Sequence, residues 1–304
     1  MDNNQFLLPE SPIQEIRHPL LEQKQVKLAI KRDDLLHPVI SGNKWRKLKY
    51  NLIHMQSKRC DSFVTFGGAF SNHLYASAMA CKTFNLKGHA IVRGPILDEQ
   101  NPTIRMARAC GMTLHVVDRK TYRLRNDGDY LQTLQSEFPS SFIIPEGGTN
   151  QAALSGVIEL AQSLPPSNYV VCATGSGGTI AGLAKGCPTN TNVIGIAVLK
   201  QADYLNDEIS QLLTNSHSGA SWQLLTNHHY GGYGKFTDDV WTFCQLMRQT
   251  YQLPLEPIYT GKMLFAIWQL IRQDYFPRGS TIMAIHTGGL QGLDGLRYRG
   301  LISR

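Results

Sequence analysis

Three short segments of this 304-residue chain hold the residue types from which a phosphate-dependent active site is built. The first is Ser41-Gly42-Asn43-Lys44-Trp45-Arg46-Lys47-Leu48, a glycine turn that leads into a cationic helix start. Lys44 falls in the first helical turn. There the positive end of the backbone dipole, with Arg46 and Lys47 close by, disfavours an ammonium ion. Its pKa is expected to fall, leaving neutral amine free to attack a carbonyl carbon. First turns usually carry carboxylates, so three cations there are unusual; the plain alternative is a solvated basic helix face. The second segment runs Val170-Val171-Cys172-Ala173-Thr174-Gly175-Ser176-Gly177-Gly178-Thr179-Ile180, a buried strand, a glycine turn and a helix start. Amides in such a turn are unobstructed by side chains, and the dipole adds about 0.3–1 kcal/mol for an anion held ahead of the helix. Thr174, Gly175, Ser176, Gly177, Gly178 and Thr179 thus read as a phosphate cup, with hydroxyl donors at Ser176 and Thr179, against the alternative of a merely structural turn. The third segment, Phe66-Gly67-Gly68-Ala69-Phe70-Ser71-Asn72-His73, is another strand, turn and helix start, in which Ser71 or Asn72 could simply be a cap.

The kind of phosphate follows by exclusion. A dinucleotide fingerprint needs a third glycine where Ile180 stands, and an acid where the next strand ends at Leu199-Lys200. No G-x-x-x-x-G-K-[ST] loop is present, so the ATPase signature is missing. A cofactor with one phosphate monoester fits what remains. No metal site is expected: the adjacent His228 and His229 point apart in any regular backbone, and no third ligand follows at helical spacing. His73 and His286 lie inside the glycine motifs and are read as packing or hydrogen-bonding residues, and Arg105 and Arg108 as a solvated helix face.

The elements that must position these residues alternate along the chain. Strands are expected at Val26–Lys31, Phe63–Phe66, Ala90–Val92, Leu114–Val117, Phe142–Ile144, Tyr169–Ala173, Val193–Leu199 and Thr281–Ile285. Helices are expected near Lys44–His54, Asn72–Phe84, Pro102–Cys110, Ala152–Leu164, Ile180–Ala184, Leu205–Leu213, Asp238–Tyr251 and Lys262–Gln273. At one helix Asn101 caps, Pro102 takes the first position and Gly111 closes the end. Such alternation implies an α/β fold with parallel sheet covered by helices, and ligands beyond the carboxyl ends of the strands. With 42% hydrophobic residues the chain can bury a core without staples. Six scattered cysteines without a C-x-x-C pair suit reduced thiols in a cytoplasmic protein. No signal-peptide pattern opens the sequence and no run of about 18 apolar residues suggests a membrane span. The net charge of +7 favours anionic partners in general. A nucleic-acid-binding protein using the Lys44–Lys49 cluster is therefore the non-enzyme alternative.

Taken together, and in this order, the three segments resemble the aminocyclopropane-carboxylate deaminase and D-cysteine desulfhydrase family. That family is a branch of the tryptophan synthase β-like (fold type II) pyridoxal-phosphate enzymes. Pro145-Glu146-Gly147-Gly148, Tyr230-Gly231-Gly232-Tyr233-Gly234, Pro257-Ile258-Tyr259-Thr260-Gly261-Lys262 and His286-Thr287-Gly288-Gly289 extend the likeness from about Pro12 onward. It implies two open, mostly parallel twisted sheets covered by helices, with pyridoxal 5'-phosphate in the cleft between two domains. Residues 1–47 and 152–304 would form the large domain and residues 48–151 a smaller inserted one, in a homodimer acting on a small amino acid. It further implies that Lys44 carries the cofactor and moves the substrate proton. Asn72 would bond the ring hydroxyl, and Thr174 to Thr179 would hold the phosphate. Ser71 would meet the substrate, Tyr233 and Tyr259 would be the active-site tyrosines, and Thr287 would face the ring nitrogen.

Three departures bear on the substrate. The cyclopropane-opening deaminases carry an acid after the second tyrosine, in a Y-E-G-K pattern, where this chain has Thr260. A hydroxyl partner makes a weaker electron sink, which suffices to expel thiolate and favours the desulfhydrase branch. Phe70 stands where many relatives have glutamine, and Trp45 is bulkier than usual; both are expected to reshape the pocket.

Overall fold

The computed structural model describes residues 10–37, 40, 42–213 and 219–303, so Ser41 of the first motif lies outside the described residues. The large sheet contains β1 (Ile13–Ile16), β2 (Lys27–Lys31), β7 (Tyr169–Thr174), β8 (Asn192–Ala197), β9 (Ser221–Leu225) and β10 (Thr281–Ile285). Its order is β1-β2-β10-β7-β8-β9, with β1 antiparallel to β2 and every other pair parallel. The small sheet contains β3 (Ser62–Gly68), β4 (Lys87–Arg93), β5 (Thr113–Val117) and β6 (Ser141–Ile144), parallel throughout in the order β5-β4-β3-β6. The alternating pattern implied helix-covered parallel sheet, and the division into two such sheets is what the family resemblance implied.

The central strands of both sheets are buried on both faces, and the strand period of two sorts side chains between them. In β10, Ile282 and Ala284 enter one core while Met283 and Ile285 enter the other; Val171 and Ala173 against Val170 and Cys172 do the same in β7. The first core is closed by α1 (Pro19–Lys24), α10 (Asp238–Tyr251) and α11 (Thr260–Arg272). The second is closed by α7 (Gln151–Gln162), α8 (Gly178–Gly186) and α9 (Leu205–Leu213). On the small sheet, α2 (Asn43–Ser57), α3 (Asn72–Phe84) and α4 (Pro102–Ala109) cover one face. Tyr122 of α5 (Arg119–Arg123) and Leu134 of α6 (Gly128–Glu137) pack on the other. The helix α12 (Gly292–Tyr298) follows the large sheet. All six cysteines are free thiols and five are buried.

The expected cap is present: the Asn101 side chain accepts from Thr103 N and Ile104 N, and Gly111 turns away with φ +79°. Two strands went unforeseen, β1 and β9, because both are short edge strands with mostly exposed or half-buried residues. The helices α1, α5, α6 and α12 were also missed. Three of them have seven residues or fewer, and α6 buries only Leu134.

One helix joins the two sheets. The head of α2 rests on the loop after β10, where Asn43 N donates to Thr287 O at 3.2 Å. Its body then runs into the small-sheet core through Trp45, Leu48, Leu52 and Met55. Gly42 makes the junction possible, because it has φ +66° and any Cβ there would strike the Thr287 carbonyl. Gly156 plays the same part on α7, which lies directly against the Arg46 carbonyl. Trp45 therefore points away from the cleft, stacked on Phe84 with ring centroids 5.6 Å apart, and does not reshape a pocket.

Candidate active site

The site forms where the carboxyl ends of the strands in both sheets meet the head of α2. Lys44 lies there, partly buried, and its pKa is lowered to about 8. The direction agrees with expectation but the cause is burial, not its cationic neighbours. Arg46 turns away to a buried bidentate pair with Asp33, at 2.9 Å for both bonds, and Ser11 supports the same carboxylate at 2.5 Å. Lys49 turns to Glu159 at 3.0 Å. The cationic cluster therefore presents no continuous basic face, which removes the reason for reading it as a nucleic-acid surface.

Lys47 was passed over in the sequence as one more cation of that cluster. Its Nζ, fully buried, donates to Thr149 Oγ1 at 3.0 Å and approaches Ser176 Oγ at 3.4 Å. A Cβ on Gly178 would sit 3.0 Å from the same nitrogen. Lys47 thus stands inside the glycine cup, its pKa pushed well down by burial and by the charge of Lys44. The cup itself is a strand-to-helix turn: Thr174 ends β7, Gly177 takes φ +71°, and Gly178 and Thr179 open α8. Asn43 Nδ2 donates to Thr179 Oγ1 at 3.0 Å, tying the head of α2 to the head of α8. Two amines, Lys47 buried and Lys44 partly buried, have no carboxylate partner among the described residues and, beside hydroxyls and amides at a helix start, form a cradle whose missing charge is an anion. These residues fit a phosphate group with a reactive carbonyl placed at Lys44.

Around this centre the remaining candidates assemble. Ser71 caps α3, its Oγ accepting from Leu74 N at 3.2 Å, so the capping reading holds for that residue whatever else it does. Asn72 follows it, and a Cβ on Gly289 would lie 2.7 Å from its amide nitrogen. Asn72 therefore faces the Thr287-Gly288-Gly289 loop after β10. Thr287 is buried, and its carbonyl lies under Gly42. Tyr259 lies against Gly175, where a Cβ would be 3.1 Å from its ring. Tyr233 packs on Tyr259 edge to face at 6.1 Å, and burial with this contact raises the Tyr259 pKa well above its ordinary value. Phe70 faces outward, under Arg299 at 4.7 Å and against Gly295, so it builds the α12 surface.

Two further residues escaped the sequence reading. Glu256 is buried and accepts from the backbone of Ile258, Tyr259 and Thr260 at 2.7, 3.0 and 2.7 Å, and from Thr260 Oγ1 at 3.0 Å. Burial raises its pKa to about 7 against those four donors. A Cβ on Gly289 would lie 3.9 Å from its side chain, so Glu256 stands behind Thr260 on the wall shared with Asn72. Lys262, also buried, donates to the carbonyls of Gly232 at 2.7 Å and Val198 at 3.4 Å, fixing the loop that carries Tyr233. A carboxylate three residues before the second tyrosine is the signal that could have revealed Glu256; nothing in sequence separates Lys47 from its charged neighbours.

The family model for pyridoxal-phosphate dependent enzymes matches residues 9–288. A mitochondrial bifunctional D-cysteine desulfhydrase/1-aminocyclopropane-1-carboxylate deaminase of Arabidopsis thaliana is 31% identical over 294 residues, covering 88% of this chain and 73% of that one. A D-cysteine desulfhydrase of Yersinia pestis is 26% identical, covering 87% of each. Among solved structures, a homologue of the aminocyclopropane-carboxylate deaminases superposes with a TM-score of 0.80 at 29% identity, over 96% of this chain and 93% of that one. The cradle, the amine and these likenesses agree: the chain belongs to the pyridoxal-phosphate-dependent enzyme family, in its D-cysteine desulfhydrase and aminocyclopropane-carboxylate deaminase branch.

Proposed function

We propose that this enzyme catalyses α,β-elimination from D-cysteine or a similar β-substituted D-amino acid, releasing pyruvate, ammonia and, from D-cysteine, sulfide. Opening of 1-aminocyclopropane-1-carboxylate is the second reading. The observation that carries the choice is Thr260, a neutral hydroxyl where ring-opening relatives place an acid. Glu256 supplies a carboxylate one hydrogen bond behind it, but its oxygens are already engaged by three backbone amides and the Thr260 hydroxyl. In this reading the cofactor ring meets hydroxyl groups, Thr260 and Thr287, because the Glu256 carboxylate is taken up by its own donors.

Pyridoxal 5'-phosphate, when bound, supplies an electron-withdrawing ring that delocalises negative charge from the substrate α-carbon. In the proposed arrangement Lys44 would hold that group, and its Nζ would move the substrate α-proton. The cup from Thr174 to Thr179, with Lys47, neutralises and orients the phosphate. Asn72 would meet the ring hydroxyl and Thr287 the ring nitrogen. Ser71 binds the substrate carboxylate beside the α3 amides, while Tyr233 and Tyr259 close the opposite side. Residues 48–151 would form the small domain that moves against residues 1–47 and 152–304, in a cytoplasmic homodimer. Thiolate leaves the β-carbon readily, whereas ring opening must expel a carbanion and needs a strongly protonated ring. Comparing kcat/KM for D-cysteine and 1-aminocyclopropane-1-carboxylate at saturating cofactor tests the choice. D-cysteine is expected to be favoured on the order of tenfold or more, about 1.4 kcal/mol in barrier. Equal rates, or a faster deaminase, would show that the Thr260 argument fails.

A further inference from the structure

A second concave site lies on the small sheet beside the cradle, on the loop whose Gly147 packs against Ser176 Oγ. It is a cavity of about 410 Å³ lined by Arg93, Arg119, Tyr122, Arg123, Arg125 and Glu146. Its place in the fold is informative. Arg93 is the last residue of β4, Arg119 opens α5 just after β5, and Glu146 stands just past the end of β6. These are the carboxyl ends of parallel strands, where open α/β sheets bind ligands. The strand order reverses between β3 and β6, and Tyr122 and Arg125 reach across that reversal to Glu146.

The walls are held in place. Tyr122 is buried and donates to Glu146 at 2.7 Å, and Arg125 pairs with the same carboxylate. The guanidinium groups of Arg93 and Arg125 lie over the Tyr122 ring at 5.6 and 5.4 Å, which limits their freedom before any ligand arrives. Arg93, Arg119 and Arg123 have no carboxylate partner among the described residues. Four guanidinium groups against one carboxylate leave a surplus of three positive charges around a concave space. Such a surplus is self-repelling until an anion fills it. Planar guanidinium forks match carboxylate and phosphoryl oxygens in bidentate pairs, and the volume suits a small molecule. Arg93 also reaches within 3.6 Å of the position a Cβ would take on Gly68, in the turn that precedes Ser71.

We propose that this arginine cavity binds a small polyanion carrying at least two carboxylate or phosphoryl groups, at a site that adjoins the cofactor cradle but shares none of its lining residues. The inference does not depend on which amino acid the enzyme consumes. Calorimetric titration of the protein, saturated with pyridoxal 5'-phosphate so that the cup is filled, tests it with pyrophosphate and with citrate. Ionic strength is held constant with chloride. Saturable binding of one anion per chain is expected, with pyrophosphate preferred if phosphoryl groups are read and citrate preferred if carboxylates are. The doubly neutralised variant Arg119→Gln/Arg123→Gln, altered only at exposed positions, is expected to bind on the order of tenfold more weakly. Absence of saturable binding by either anion, an affinity unchanged in the variant, or binding that disappears when the cofactor is added would each overturn the proposal.

Discussion

A lysine amine packed at the head of a helix has its neutral form favoured by the loss of water around it. That is the situation of Lys44, whose pKa of about 8 leaves a substantial neutral fraction near neutrality, where an ordinary lysine has almost none. The sign follows: lowering pH through 8 protonates the amine and should slow covalent attachment of pyridoxal 5'-phosphate, while raising it should speed attachment to a plateau. Attachment rates of the cofactor-free protein, followed by absorbance between pH 6 and 10 (about the range from full protonation to full neutrality), are expected to show a midpoint near 8. A midpoint near 10.5, the ordinary lysine value, would mean that burial does not tune this amine. Lys44 was legible from its motif, but the reason for its pKa was not. Sequence shows Arg46 and Lys47 as neighbours; only the fold shows Arg46 neutralised by Asp33 and Lys47 spent in the cup.

The glycine turn between β7 and α8 was the clearest element in the sequence, because a buried strand, three glycines and a helix start leave few other conformations. Gly177 adopts φ +71°, and a Cβ there would meet the Ile209 side chain at 2.8 Å. Substitution at this position therefore carries backbone strain of about 1–2 kcal/mol before charge is considered. Gly177→Asp and Gly177→Ala share that strain, but only aspartate adds a negative charge to an anion site. Cofactor affinity by fluorescence titration is expected to fall on the order of tenfold further in the aspartate variant than in the alanine one. Equal losses would assign the effect to strain alone and remove the phosphate from the cup. The elements that sequence missed have a common physical cause. β1 and β9 are edge strands that bury little on either side, and α6 is polar almost throughout, so neither strand nor helix periodicity registers.

At the scale of the whole molecule, alternation of apolar runs and helical stretches was enough to specify helix-covered parallel sheet, since parallel strands demand crossovers, while its division into two sheets came only with the family resemblance. The meeting of the two sheets was not legible. It depends on close approaches at Gly42 and Gly156, which in sequence are two glycines among 27. Those contacts carry α2 from the large sheet into the small one and so deliver Lys44 to the strand ends of both. Glu256 was lost for a related reason: its role arises from a chain reversal that wraps three amides around its carboxylate. Lys44 is the residue proposed to carry the cofactor. Borohydride reduction of the cofactor-loaded protein, followed by intact mass and peptide mapping, tests this most directly. One reduced cofactor per chain, mapped to Lys44 and absent from Lys44→Ala, is the expected result. Label on Lys47, Lys49 or Lys262, or an unlabelled chain that still turns over, would contradict it.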